Sequence, residues 1–297
     1  MIPAPSAHGG DGARVARALG VDPAAVLDLS VSVNPVAPDV GEVLAKHVDA
    51  ARRYPDPAVA TAALAETLGV SDDWVLLTNG GSEAIDLVAR ALRGGVTAEP
   101  DFGLYPRGDD GPRWRSNPNN PSGVLAGPGD RADVWDEAFY PLATGEWTRG
   151  DADRGAVVVG SLTKVFACPG LRAGYALADP ATIAALAALQ PEWSVNGLAV
   201  AALPGLLAAA DLPAWRDEIT RLRAALIDVL RRHGFRPQPS DANYVLVPDA
   251  GGLRERLARH LVVVRDCASF GLSDHIRVAV PDDADRARLE EALCAAG

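Results

Sequence analysis

Residues 160–175 read GSLTKVFACPGLRAGY, and the run that leads into them, GAVVVGSL at 155–162, is the clearest strand in the chain. A β-branched apolar run stopped by a hydroxyl is a buried strand of an α/β sheet. Lys164 stands just beyond it, behind Ser161 and Thr163, and Arg172 follows between Gly170 and Gly174. An ammonium taken out of water loses basicity and can become a nucleophile or Schiff-base former. The two hydroxyls and the guanidinium are donors suited to a nearby phosphate.

Outward from this stretch, apolar strands alternate with helical segments. LRAGYALA (171–178) returns as a hairpin partner or neighbour, and WVLLTN (74–79) is a buried strand that runs through Gly80-Gly81 into the helix SEAIDLVARALR. ADVWDEAF (132–139) is another strand candidate, ending in acids, while PATIAALAAL, NGLAVAALPGLLAAA and WRDEITRLRAALIDVLRRHG (215–234) are helical. The pattern predicts an α/β protein whose large domain has a mixed, mostly parallel sheet. The tail is patterned differently, since NYVLV, the helix GGLRERLARHL, the strands VVVRD and HIRVAV, and a last helix from Asp282 predict a smaller α+β domain. The expected division is an N-terminal arm at 1–36, a large domain at 37–204 and a small C-terminal domain at 205–297. The proline-, glycine- and asparagine-dense region 100–123 is expected to be irregular loop.

The 297 residues are 48% hydrophobic, enough for one large core or two modest ones. Lys and Arg number 28 against 39 Asp and Glu, a net charge of −11 without a basic stripe, so a nucleic-acid partner is not expected. No apolar run reaches the length of a membrane span, and the start, MIPAPSAHGGDGARV, lacks the apolar core of a signal peptide. Cys168, Cys267 and Cys294 form no CxxC. These features predict a reduced cytoplasmic protein with no metal and no membrane partner.

Four segments gain meaning together. In NGGSEA a glycine turn opens a helix, whose free N–H groups at Gly81 and Ser82 favour a phosphate, although an ordinary strand–helix turn has the same form. SNPNNPSG is a proline-fixed turn that presents Asn120, a donor for a ring hydroxyl or phenolate, or else a plain loop. DVWDEAF ends a buried strand in Asp136, which needs a cation: a protonated pyridine nitrogen, an arginine, or the lesser role of a helix cap. With Lys164 and Arg172, the order of these segments meets the demands of pyridoxal 5′-phosphate: a Schiff-base lysine, a carboxylate for the pyridinium, a donor to the 3′ oxygen and a phosphate cup.

The motifs NPNNPSG, DEAF and SLTKVFACPGLRAGY resemble those of fold-type I pyridoxal-phosphate enzymes of the class I/II aminotransferase superfamily. HGG near the start, LSVSVNP (29–35), WSVNGLA (193–199) and VVRDCASFGLSDHIRVAV (263–280) narrow the resemblance to the branch of histidinol-phosphate aminotransferases, and within it to threonine-phosphate decarboxylases of the cobalamin pathway. The resemblance runs from His8 almost to the C-terminus. It implies that Lys164 bonds to the cofactor aldehyde and moves protons, that Asp136 holds the ring nitrogen, and that Asn120 contacts the 3′ oxygen. Phe102 takes the place of the aromatic stacked on the ring. Gly81, Ser82, Ser161, Thr163 and Arg172 fit the phosphate cup. Tyr54 matches a tyrosine that reaches the neighbouring subunit's cofactor, which implies a homodimer. Arg277 matches the clamp for the substrate α-carboxylate, with a structural salt bridge as the alternative. His8, Asn34 and Arg265 lie where this branch builds its substrate-end pocket, including a place for a substrate phosphate.

Two departures stand out. Phe139 occupies a place where many relatives carry a tyrosine that bonds the 3′ oxygen, so the oxygen depends more on Asn120. Between PDFGLYPR and WRSNPNNPSG only a few residues remain where relatives usually carry a helix and another strand, and the stretch from Gly123 to Asp136 is also shortened. The function implied is decarboxylation of an O-phosphorylated amino acid such as L-threonine phosphate. The alternatives are an aminotransferase of the histidinol-phosphate type, built on the same core residues, and a non-catalytic protein of the same fold.

Overall fold

The computed structural model describes residues 1–296. The chain opens with helix α1 (Gly12–Leu19), the short strand β1 (Leu27–Leu29), and helices α2 (Val40–Ala45) and α3 (Ala58–Leu68). Then come β2 (Val75–Thr78), α4 (Gly81–Leu92), β3 (Val96–Thr97), β4 (Arg113–Ser116), β5 (Val134–Asp136), α5 (Tyr140–Thr144), β6 (Val157–Gly160), α6 (Leu162–Val165) and β7 (Gly174–Leu177). Helices α7 (Pro180–Ala187), α8 (Gly197–Ala208) and α9 (Leu212–Arg232) lead to β8 (Tyr244–Val247), α10 (Leu253–Ala258), β9 (Val262–Asp266), β10 (Ile276–Ala279) and α11 (Asp283–Ala296). No single helix among the described residues is long and apolar enough to cross a membrane.

The larger sheet has the order β2-β7-β6-β5-β4-β3. β3 to β6 run parallel, and β7 is antiparallel to both β6 and β2. The parallel strands β5 and β6 are buried along their whole length, which is why they read as unbroken apolar runs. Asn120, Asp136 and Lys164 all follow or end strands at the same carboxyl edge, where ligands of open α/β sheets bind. The smaller sheet has the order β1-β9-β10-β8, so the N-terminal arm supplies an edge strand, with Leu27 opposite Val262 in a parallel pair.

The region expected to be irregular from 100 to 123 contains β4, a correction to the sequence reading. Composition points to a loop, but Trp114 alternates with two arginines and is fully buried against its neighbours in the sheet. Tertiary packing of that one side chain overrides the surrounding prolines and glycines. The connection from β3 to β4 holds no helix and no further strand, in keeping with the shortening seen in the sequence.

The expected boundary at 204/205 lies inside α8. Beyond it, Leu212, Trp215 and Ile219 of α9 sit in the core under the larger sheet, whereas Leu222, Leu226, Val229 and Leu230 of the same helix pack under the smaller one. A single helix thus braces both cores and fixes the cleft between them.

Candidate active site

A cavity of about 240 Å³ opens between the two sheets. Its walls bring together His8, Gly81, Ser82, Phe102, Asn120, Asp136, Ser161, Thr163, Lys164, Arg172 and Arg277. These residues come from the arm, the first turn of α4, the loops after β3 and β4, the end of β5, α6 and its following loop, and β10.

One end of the cavity is a set of donors. The Ser161 and Thr163 hydroxyls lie 2.8 Å apart, and the N-terminus of α4 begins at Gly81 beside them. Arg172 is held in the left-handed region at φ +57°, and its guanidinium packs where a side chain on Gly80 would stand. A Cβ on Gly174 would come within 2.6 Å of the Gly81 nitrogen, so glycine here lets β7 approach the turn. Helix N–H groups, two hydroxyls and a guanidinium with no carboxylate within 4.0 Å among the described residues form an anion cup.

The floor carries Asp136 and Lys164. Asp136 is 9% exposed; its Oδ2 accepts from the Tyr105 hydroxyl at 2.7 Å and its Oδ1 from the Ala138 N–H at 2.9 Å. Burial raises its pKa, and the bonds from Tyr105 and Ala138 oppose that rise. Lys164 falls from 10.5 to about 8, first by desolvation and then by the charges of Arg277 and Arg172, with Asp136 pulling the other way. Its ammonium lies 5.9 Å from the centre of the Phe139 ring. Phe139 therefore meets the lysine with a ring face and no hydroxyl, and Asn120 lines the same cavity.

At the other end, Arg277 is 5% exposed, donates to Asn120 Oδ1 and stacks 4.4 Å from the Tyr244 ring centre. Among the described residues no carboxylate lies within 4.0 Å of it, and its buried Nε has no partner. The structural salt bridge raised as an alternative is absent there. An isolated buried guanidinium is costly unless an anion arrives. His8 sits exposed at the rim, edge-on to Phe102 at 5.6 Å. Partial desolvation of its ring, and then the Arg265 charge, lower its pKa.

Three expected site residues lie outside the cavity wall. Asn34 is buried and donates from Nδ2 to the Val165 carbonyl at 3.0 Å, while its N–H donates to the Lys164 carbonyl at 2.9 Å. It braces the lysine's helix from behind. Arg265, lowered to about 10 by burial and by Arg277, donates to the carbonyls of Ser6 and Ala7 and to Ser269 Oγ. It fastens the arm that carries His8. Tyr54 is 77% exposed, its ring tilted 32° against that of Trp193 at 4.4 Å, and it does not line the cavity.

Two residues of the site carry no sequence signal strong enough to single them out. Tyr105 bonds Asp136, and Asp101 accepts from Ser116, whose Oγ in turn accepts the Asn120 N–H at 2.7 Å. Both sit in the stretch of loop composition; the aromatic spacing Phe102–Tyr105 is the one local signal.

The donor set fits pyridoxal phosphate: an anion cup, a buried carboxylate with no cationic side chain within 4.0 Å among the described residues, and a lysine of lowered basicity share one cavity. The aminotransferase class I and II family matches residues 116–293. The threonine-phosphate decarboxylase of Salmonella typhimurium is 32% identical over 97% of this chain and 96% of its own length. Histidinol-phosphate aminotransferase 1 of Dechloromonas aromatica is 28% identical over 94% and 92%. These alignments run over 354 and 335 positions, more than the 297 residues here, so gaps fall within this chain. The histidinol-phosphate aminotransferase from Sinorhizobium meliloti, solved in complex with pyridoxal-5′-phosphate, shares the fold with a TM-score of 0.82 over 96% of this chain and 94% of that one, at 20% identity. The chain belongs to the aminotransferase class I and II family and is a pyridoxal-phosphate-dependent enzyme.

Proposed function

We propose that this enzyme decarboxylates an O-phosphorylated amino acid of the L-threonine phosphate type. The observation that carries this reading is a pair of corners at the substrate end: the Arg277 cation, with no carboxylate within 4.0 Å among the described residues, and the His8 imidazole with the Arg265 charge behind it. A substrate with one carboxylate and one phosphate matches both. The 32% identity to the Salmonella decarboxylase supports the same choice.

Bound pyridoxal phosphate supplies an electron sink next to the substrate's Cα. The N–H groups of Gly81 and Ser82, the Ser161 and Thr163 hydroxyls and Arg172 would hold its phosphate. Asp136 would keep a proton on its ring nitrogen, Asn120 would donate to its 3′ oxygen, and Phe102 would cover one ring face. Lys164, with a pKa of about 8, has an appreciable neutral fraction near physiological pH, so it can serve as nucleophile and base and, once protonated, as acid. Arg277 anchors the α-carboxylate, and the His8 corner anchors the phosphate. Two anchors on one small molecule fix which bond at Cα is presented for breaking. When the Cα–carboxylate bond breaks, carbon dioxide leaves, and Cα takes a proton from the Lys164 ammonium to give the amine.

A second reading, an aminotransferase of the histidinol-phosphate type, is supported by the Dechloromonas relative and by the same core residues. There the Cα–H bond is presented and Lys164 removes the proton. The test mixes the cofactor-loaded enzyme with O-phospho-L-threonine and follows carbon dioxide together with conversion of the cofactor to its pyridoxamine form. Carbon dioxide with the cofactor unchanged supports the decarboxylase. The pyridoxamine form without carbon dioxide supports the aminotransferase, and neither product rules this substrate out.

We also propose a cytoplasmic homodimer in which Tyr54 of each protomer completes its neighbour's site. Its support is the outward-facing aromatic pair of Tyr54 and Trp193, with exposed Val59 nearby on a shallow pocket.

A further inference from the structure

The connection from β3 to β4 is short, yet it is firmly built. Thr97 Oγ1 donates to the Pro106 carbonyl at 2.8 Å. The Arg107 guanidinium donates to the carbonyls of Tyr105 at 2.7 Å and of Asp101 and Phe102 at 3.1 Å, and also to Glu99. Tyr105 lies at the centre of this loop, 3% exposed. Its ring stacks on Trp114 at 5.5 Å and 26°, and it meets Phe102 edge-on at 5.7 Å and 74°. A buried tyrosine needs a partner for its hydroxyl. Here that partner is Oδ2 of Asp136.

We infer that Tyr105 is a positioning residue for Asp136, holding its carboxylate in the one orientation that serves a protonated ring nitrogen. Two donors fix the carboxylate, Tyr105 on Oδ2 and the Ala138 N–H on Oδ1. Each oxygen keeps one further acceptor site, and Asp136 lines the cavity. The phenol also stabilises the ionised carboxylate against its burial. Without it, the carboxylate would be more basic and less able to hold the proton on a bound ring nitrogen. The same loop carries Phe102, so the short crossover sets the ring's face and its nitrogen partner together.

The inference rests on the assignment of Asp136 to the ring nitrogen, and the test separates the two. Affinities of the cofactor-free enzyme are measured for pyridoxal phosphate and for its 1-deaza analogue, which keeps the aldehyde and phosphate but has carbon in place of the nitrogen. The wild-type enzyme should prefer the natural cofactor. Equal binding by the wild type overturns the Asp136 assignment and the inference with it. Tyr105→Phe should cut the preference by about tenfold, the loss for a hydrogen bond to a charged group, and leave binding of the deaza analogue near wild type. Tyr105→Gln, which restores a donor, should recover part of the preference. A folded Tyr105→Phe enzyme with the full wild-type preference overturns the role of Tyr105 alone. If both variants fail to fold, the residue is a pillar of the core and the inference falls.

Discussion

Arg277 on β10 donates through Nη1 to the side-chain oxygen of Asn120, 157 residues earlier in the chain, and so ties the smaller sheet to the loop after β4. Its positive charge has an aromatic face and an amide for company but, among the described residues, no carboxylate within 4.0 Å. Replacing an uncompensated buried charge with an apolar side chain of similar length costs little and can stabilise. Arg277→Met should therefore leave the melting temperature of the cofactor-free protein unchanged or raised. Affinity for the amino-acid substrate should fall by about 2–5 kcal/mol, the cost of losing one partner of a buried charge pair. Thermal melts and substrate titration read the two effects separately. A lowered melting temperature with unchanged substrate affinity would make the arginine structural.

The lysine gives a pH prediction whose sign is fixed. In the folded protein Lys164 sits at about 8, against an ordinary value of 10.5. The unfolded chain then holds the proton more tightly, and below about 8 the folded state bears the full penalty of a desolvated ammonium. That penalty disappears as pH rises from about 8 toward 10.5. Lys164→Met should be more stable than the wild type at neutral pH, with the gap narrowing across that window in denaturant titrations of the cofactor-free proteins. Capture of the cofactor aldehyde by the wild type should rise with a midpoint near 8. Because Arg172 depresses the lysine, Arg172→Ala should move that midpoint upward; a midpoint left in place would remove Arg172 from the lysine's surroundings.

Tyr54 supplies a test across the proposed interface. If it serves the neighbouring site, a protein lacking Tyr54 and one lacking Lys164 complement each other, because one site in the mixed dimer keeps both residues. Refolding Tyr54→Ala together with Lys164→Ala should yield more activity than the two parents combined. Sedimentation should show a dimer throughout. Mixing without gain, in a confirmed dimer, would place Tyr54 outside the site.

The parts of the site legible in the sequence are those fixed locally. Asp136, Lys164 and Asn120 lie at or just beyond strand ends, where an apolar run stops and a polar residue must face the cleft. β1 is not legible as a strand, because the alternation of Leu-Asp-Leu is too short to establish a period and its pairing partner lies more than two hundred positions away. Tyr105 and Asp101 are hidden for a related reason. Their stretch has loop composition, and although Phe102 within it is legible as a cavity residue, the bonds of Tyr105 to Asp136 and of Ser116 to Asp101 join segments that no local pattern connects. Asn34 and Arg265 are legible as residues that matter, but their contacts with the lysine helix and the arm depend on long-range packing that no local pattern carries.

Ser116 links two of these residues and yields the last prediction. Its Oγ donates to Asp101 and accepts the Asn120 N–H, so the loop before β4 holds the asparagine through one hydroxyl. Asp101 is raised to about 6, chiefly by burial, with the Ser116 bonds opposing the rise and the Asp136 charge adding to it. A carboxyl with a raised folded pKa destabilises the fold once ionised, and stability returns as pH falls from about 6 toward the ordinary value of 3.8. Ser116→Ala removes a donor from that buried carboxylate and an acceptor from the Asn120 N–H, for a cost of about 1–3 kcal/mol. The cost should be larger at pH 8, where Asp101 is ionised, than at pH 5, where it is largely protonated. Denaturant unfolding of the wild type and Ser116→Ala at the two pH values measures the difference. A penalty independent of pH would show that the serine serves Asn120 alone and that the charge on Asp101 is balanced elsewhere.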